Sequence, residues 1–112
     1  MKIYHNPRCR KSREALALIE EANQSAEIVL YLKNPLSFEE ISSLLKKLKI
    51  PAEQLIRKSE KIFKEQYKGK DLSEKKWIEA MVEHPVLIER PIVVKGRKAV
   101  IGRPPENITA LF

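Results

Sequence analysis

Between Lys2 and Leu32 the spacing of apolar residues passes from alternation to helical and back again, an order that few folds accommodate. Lys2 to His5 alternates as a short strand. Asn6-Pro7 is a turn pair, and from Arg10 the residues Ala15, Leu18, Ile19 and Ala22 recur on one face of a helix over 10–24. Glu27-Ile28-Val29-Leu30-Tyr31-Leu32 then reads as a second strand. Strand, helix and strand in succession make a βαβ unit, with parallel strands and a right-handed crossover. Open sheets of this kind bind ligands beyond the carboxyl ends of their strands, and Cys9, the sole cysteine, lies at one such end.

Cys9 also falls where the helix begins. Unpaired backbone N–H groups and the positive end of the helix dipole meet it there, and both favour thiolate over thiol. Arg8, Arg10, Lys11 and Arg13 add positive charge around the same sulfur. An unperturbed thiol of pKa about 8.5 is only roughly 3% ionised at pH 7, so a fall of two units makes the reactive form the major one. His5 either tunes this thiolate or ends the first strand. Ser12 either donates to the thiolate or takes part in helix capping. Because Ser12 stands where a Cys-x-x-Cys pair would place its second sulfur, an oxidised Cys9 must be resolved by a thiol from outside.

Beyond Asn34-Pro35 the pattern turns helical. Ser37-Phe38-Glu39-Glu40 reads as a capping box opening a helix from 38 to about 49, with Ile41, Leu44, Leu45 and Leu48 as its apolar stripe. Pro51 opens a short helix through Ile56, Phe63 and Tyr67 mark another, and Asp71-Leu72-Ser73-Glu74 starts a last one carrying Trp77, Ile78, Met81 and Val82 into the core. Arg90-Pro91 leads into the strand Ile92-Val93-Val94, Gly96 permits a tight hairpin, and Ala99-Val100-Ile101 returns antiparallel. Arg103-Pro104-Pro105-Glu106 starts a terminal helix. The expected fold is α/β, a mixed four-stranded sheet in the order βαβ, helical insertion at about 37–83, then ββα, all within one domain over residues 1–112.

Charge narrows the partners. The chain holds 22 Lys and Arg against 15 Asp and Glu, a net charge of +7, which suits an anionic ligand. Nucleic acid is disfavoured, because the lysines alternate with glutamates on helical faces and no basic run carries interleaved aromatics. No apolar run approaches the ~18 residues of a membrane span. One cysteine and two histidines make no metal-ligand cluster, and a single reactive thiol with no secretory leader points to the reducing cytoplasm. Position 15 is alanine, so Cys9 does not begin a phosphatase loop, which needs an arginine there.

Four segments in order, His5-Asn6-Pro7-Arg8-Cys9-Arg10-Lys11-Ser12, Leu55-Ile56-Arg57-Lys58, His84 to Val94 and Gly102-Arg103-Pro104, resemble the thioredoxin-fold arsenate reductases that use glutathione and glutaredoxin. The resemblance spans essentially the whole chain. It implies a thioredoxin-like architecture, a cis peptide at Arg90-Pro91, Cys9 as the nucleophile toward arsenate or a similar oxyanion, and Arg57, Arg90 and Arg103 as the groups that hold that anion. It also implies glutathione as reductant, glutaredoxin as partner and no bound metal, flavin or nicotinamide; a monomer is the expected state. Two rival readings share these residues: a regulator resembling the Spx proteins, which bind RNA polymerase, and a glutathione-linked thiol oxidoreductase with another substrate.

Overall fold

Ile3, fully buried, lies in the middle of a sheet whose strands come from both ends of the chain. A computed structural model describes every residue from Met1 to Phe112. Strand β1 (Lys2–Tyr4) leads to helix α1 (Arg10–Glu21) and strand β2 (Glu27–Val29), and β1 and β2 pair in parallel with Ile3 opposite Ile28. From the far end of the sequence, β3 (Ile92–Lys95) pairs antiparallel with β1, and β4 (Lys98–Ile101) pairs antiparallel with β3. The sheet order is therefore β2-β1-β3-β4, the mixed four-stranded arrangement that the sequence pattern calls for.

Position in the sheet accounts for the composition of its strands. Ile92, Val93 and Val94 in inner β3 are all buried, as continuous apolar runs are when both faces are covered. Edge strand β2 leaves Ile28 nearly half exposed. Against the sheet, Ala15 and Ile19 of α1 pack with Ile3, Val93, Ile108 and Leu111 in one buried cluster. Gly96, at φ +63°, begins the two-residue turn between Lys95 and Lys98, a conformation in which a Cβ would be strained.

Several elements are shorter than their patterns suggest, each for a local reason. Helix α1 stops at Glu21 rather than 24 because Asn23 turns left-handed, with Asn23 N–H bonding Glu20 O and Gln24 N–H bonding Ile19 O, a Schellman stop. The second strand ends at Val29 rather than Leu32, since Leu30 O accepts from the N–H groups of both Lys33 and Asn34 and curls the chain. The terminal helix is a 3₁₀ helix, Pro105–Leu111, with Thr109 Oγ1 donating to Glu106 O.

By density of contacts the chain divides into the sheet unit, Met1–Asn34 with Arg90–Phe112, and a helical unit, Pro35–Glu89. Helix α2 (Phe38–Leu48) of the helical unit opens on the expected capping box. Ser37 Oγ accepts from Glu40 N–H at 3.1 Å, and Glu40 accepts from Ser37 N–H at 3.2 Å. It closes at Lys49 in the left-handed region. Pro51 precedes, rather than begins, the 3₁₀ turn Ala52–Leu55. Helix α3 (Lys61–Gln66) brings Phe63 to stack on Trp77 of α4 (Glu74–Glu83), with ring centroids 6.3 Å apart. Trp77, Ile78 and Met81 are buried as expected, whereas Val82 is only half-buried. The carboxylate of Glu74 accepts from Ala52 N–H through both oxygens, tying α4 to the 3₁₀ turn.

Candidate active site

Asn6 organises the turn that presents Cys9. Its Oδ1 accepts from Arg8 N–H at 3.0 Å and its carbonyl accepts from Cys9 N–H at 2.9 Å, while its own N–H donates to Ser12 Oγ at 3.1 Å. The chain thus folds back on itself just as α1 begins, with Cys9 at the N-cap in extended conformation and its side chain making no cap hydrogen bond. The sulfur is consequently free to face the first N–H groups of the helix. Sequence reasoning treats Asn6 as half of a turn pair, and only the three bonds show that it braces the nucleophile loop; its signal was a turn-forming amide three residues before the thiol.

Cys9 is largely buried, and burial alone raises a thiol's pKa. The backbone N–H of Ser12, the hydrogen bond and charge of Arg90, and the N–H of Lys11 act in the opposite direction and prevail, so the thiol titrates below its ordinary value. The direction agrees with the expectation from the helix start, but its cationic source is different. Arg10 bonds Glu14 at 2.9 Å, and Arg13 donates to Pro7 O at 2.9 Å. The charge that acts on the sulfur arrives instead from beyond the helical unit in sequence, on Arg90.

Arg103 completes that side of the site. Its Nη2 lies 3.6 Å from Cys9 Sγ, and its Nε donates to Arg90 O at 2.8 Å. Arg90 and Arg103 flank the paired residues Ile92 and Ile101 of the β3–β4 hairpin, so strand pairing places both beside the thiol. The hairpin is closed by Gly102 N–H bonding Pro91 O at 2.8 Å. A Cβ on Gly102 would stand 2.9 Å from Pro91 Cγ and 3.3 Å from Ile108 Cγ2, so only glycine lets these segments meet. Arg90-Pro91 is cis, as the resemblance implies, and Arg103-Pro104 is cis as well.

His5 and Ser12 act on each other before they act on Cys9. Ser12, with no exposed surface, has its Oγ 2.6 Å from His5 Nδ1. Burial lowers the pKa of His5 and the charge of Arg13 lowers it further, so the imidazole is held neutral. The assignment in which Ser12 donates to Nδ1 and its Oγ accepts from Asn6 N–H uses each group once. It is therefore the backbone of Ser12, not its hydroxyl, that faces the thiolate.

Arg57 belongs to the helical unit. There its N–H bonds Leu87 O, Ile56 bridges to Ile88, and its Nε pairs with Glu60 Oε1 at 3.1 Å. Arg57 therefore stands just past the end of the 3₁₀ turn, as a helix-end cation would, with its side chain paired to Glu60.

The family model described as ArsC matches residues 4–111. The chain belongs to the ArsC family. It is 49% identical over 110 residues to the uncharacterized protein YfgD of Escherichia coli strain K12, covering 96% of this chain and 92% of that one. It is 46% identical over 112 residues to a Haemophilus influenzae protein named arsenate reductase, covering 98% and 97%. A solved structure of an arsenate reductase from Vibrio cholerae superposes with a TM-score of 0.95 at 41% identity, over 100% of this chain and 98% of that one. The thioredoxin-like sheet described above is thus the ArsC fold.

Proposed function

We propose that this ArsC protein reduces arsenate to arsenite, with Cys9 as nucleophile, Arg57, Arg90 and Arg103 as the oxyanion's ligands, glutathione as reductant and glutaredoxin as the partner that clears the oxidised thiol. One observation carries the reading: a cysteine with a depressed pKa has Arg103 Nη2 at 3.6 Å and Arg90 bonded to the same sulfur. A thiolate between two guanidinium groups suits attack on an anion, since the cations offset repulsion between nucleophile and substrate and present planar paired donors to its oxygens. The names of relatives more than 40% identical point to the same substrate.

The chemistry balances with one cysteine. Cys9 thiol and arsenic acid condense to a Cys9–S–As(V) adduct with release of water. Attack by glutathione sulfur on Cys9 Sγ forms the S–S bond as the S–As bond breaks. The electron pair of that bond passes to arsenic, which leaves as arsenous acid with the proton of the incoming thiol. Arsenic is reduced by two electrons, and each sulfur is oxidised by one. Glutaredoxin then exchanges the glutathionyl group from Cys9 by ordinary thiol–disulfide chemistry. His5 and Ser12 serve by holding the turn whose N–H groups stabilise the thiolate.

Arsenate-dependent consumption of NADPH, coupled through glutathione, glutaredoxin and glutathione reductase, tests the reading. Turnover should require all three components and arsenate together. Absence of arsenate-dependent turnover in the complete mixture overturns it.

A further inference from the structure

Helix α3 opens in a way its neighbours do not. Ser37 before α2 and Ser73 before α4 each accept a backbone N–H of the first turn on the hydroxyl, from Glu40 and Lys76. Glu60 holds the same place before α3, yet its carboxylate makes no cap bond. It accepts instead from Arg57 Nε at 3.1 Å, with the two side chains only 18% (Arg57) and 22% (Glu60) exposed. A carboxylate at a helix start is stabilised by that helix's own N–H groups, and this one forgoes them for an arginine.

The pairing completes a mount for Arg57. Its backbone is fixed by a short ladder in which Arg57 N–H bonds Leu87 O, Glu89 N–H bonds Leu55 O and Ile56 bridges Ile88. Glu60 N–H bonds Arg57 O, and the Glu60 carboxylate then fixes the side chain at Nε. A guanidinium gripped at Nε keeps its two terminal nitrogens, a pair that fits two oxygens of one tetrahedral anion. Arg103 is mounted in the same manner, with Nε on a main-chain carbonyl and Nη2 left to face the sulfur.

We propose that Glu60 is a positioning residue for the oxyanion site, holding Arg57 at Nε so that its Nη pair is presented to a tetrahedral oxyanion. The inference rests on the reading of Arg57 as an oxyanion ligand and adds to it a residue that does not itself touch the substrate. Two effects of the carboxylate oppose each other. Its negative charge weakens the pull of Arg57 on an anion, while its grip removes the entropic cost of stilling a long, flexible side chain on binding. Two uncharged replacements separate them, because both remove the charge and only one keeps the reach.

Glu60→Gln keeps an oxygen that accepts from Arg57 Nε. Glu60→Ser is too short to reach Nε but supplies a favoured helix cap. A capping role therefore favours Glu60→Ser, and a mounting role favours Glu60→Gln. Sulfate titrated calorimetrically into the full chain is the probe, and it needs no turnover. The Kd for sulfate should be about five-fold higher for Glu60→Ser than for Glu60→Gln, within the worth of one immobilised side chain, while Glu60→Ser should be at least as resistant to urea. In an Arg57→Ala background the two substitutions should bind sulfate alike. Equal affinity of Glu60→Ser and Glu60→Gln, with Arg57→Ala weaker than the native chain, overturns the proposal and leaves Arg57 a ligand. Native affinity in Arg57→Ala overturns the ligand reading of Arg57 and the proposal with it. A five-fold difference that persists without Arg57 also overturns the proposal, since Glu60 would then act on the anion by another route.

Discussion

Arg103 donates its Nε to the backbone carbonyl of Arg90 at 2.8 Å while its Nη2 lies 3.6 Å from Cys9 Sγ. The main chain at Arg90 therefore anchors the guanidinium of Arg103. Two arginines approaching one sulfur repel each other, and bonding the head of Arg103 to the main chain at Arg90 holds it beside the sulfur against that repulsion. Their order in the site is a property of the β3–β4 hairpin, not of the helix that bears the thiol.

Replacing Arg103 by alanine should weaken oxyanion binding by about 1.5 to 3 kcal/mol, the usual worth of a charge-assisted hydrogen bond, and Arg90→Ala should do the same. Lysine should not rescue Arg103, because a single ammonium cannot bond the Arg90 carbonyl and face the sulfur together. Competitive inhibition by phosphate or sulfate measures the loss, and Lys46→Ala, on exposed helical surface, is the control. On the proposed reading Arg57→Ala falls with the first two. An Arg57→Ala variant that binds oxyanion normally would remove it from the site.

Cys9→Ser should abolish arsenate-dependent turnover and leave the far-ultraviolet circular dichroism unchanged, since a hydroxyl preserves the shape of the N-cap but is a far weaker nucleophile. Retained turnover would mean that another group attacks the substrate.

The thiol of Cys9 should titrate below the ordinary value of about 8.5, read from thiolate absorbance against pH. Arg90→Ala should move the midpoint up, because it removes both a hydrogen bond and a charge from the thiolate. The linkage has a definite sign. A depressed folded pKa adds stability that is fully present above the unfolded value and is lost as pH falls through the folded value. The stability advantage of the native chain over Cys9→Ser should accordingly grow with rising pH across that interval. A constant difference in urea midpoints across it would contradict the shift.

His5 has the same sign for a different reason. Its pKa is lowered from 6.5 by burial and by Arg13, so the unfolded chain binds the proton better. Stability attached to the neutral imidazole is present above 6.5 and drains away as pH falls from there toward the folded value. His5→Gln should flatten that acid slope in urea melts followed from neutral to mildly acid pH. If Ser12 and the turn depend on His5, the same substitution should also shift the Cys9 midpoint. An unshifted midpoint would confine His5 to holding the end of the strand.

Local signals carried much of this fold. The capping box at Ser37 and Glu40, the Gly96 hairpin and the helix start at Cys9 each depend on residues within a turn of one another, and each stands where the sequence places it. The early stop of α1 was hidden because an asparagine took the left-handed position that glycine usually signals. The contact between Arg103 and Cys9 joins residues 94 positions apart, and no spacing rule spans that distance. Family resemblance singled out Arg57, Arg90 and Arg103 among 22 basic residues, and the last two lie at the sulfur, whereas the expectation that neighbouring cations would act on the thiol named Arg8, Arg10, Lys11 and Arg13, of which Arg10 and Arg13 bond Glu14 and Pro7 O.

Gly102 turns volume into charge placement. It is the residue before Arg103, and an added methyl would press on Pro91 and Ile108 at once, against buried groups with little freedom to yield. Strain introduced there would travel along the backbone to the next residue and swing its guanidinium away from the sulfur. A change of one uncharged carbon would then produce the phenotype of a lost cation. In a mutational survey of this protein, alanine at position 102 would be grouped with the arginine deletions, and its cause would be visible only in the space it fills.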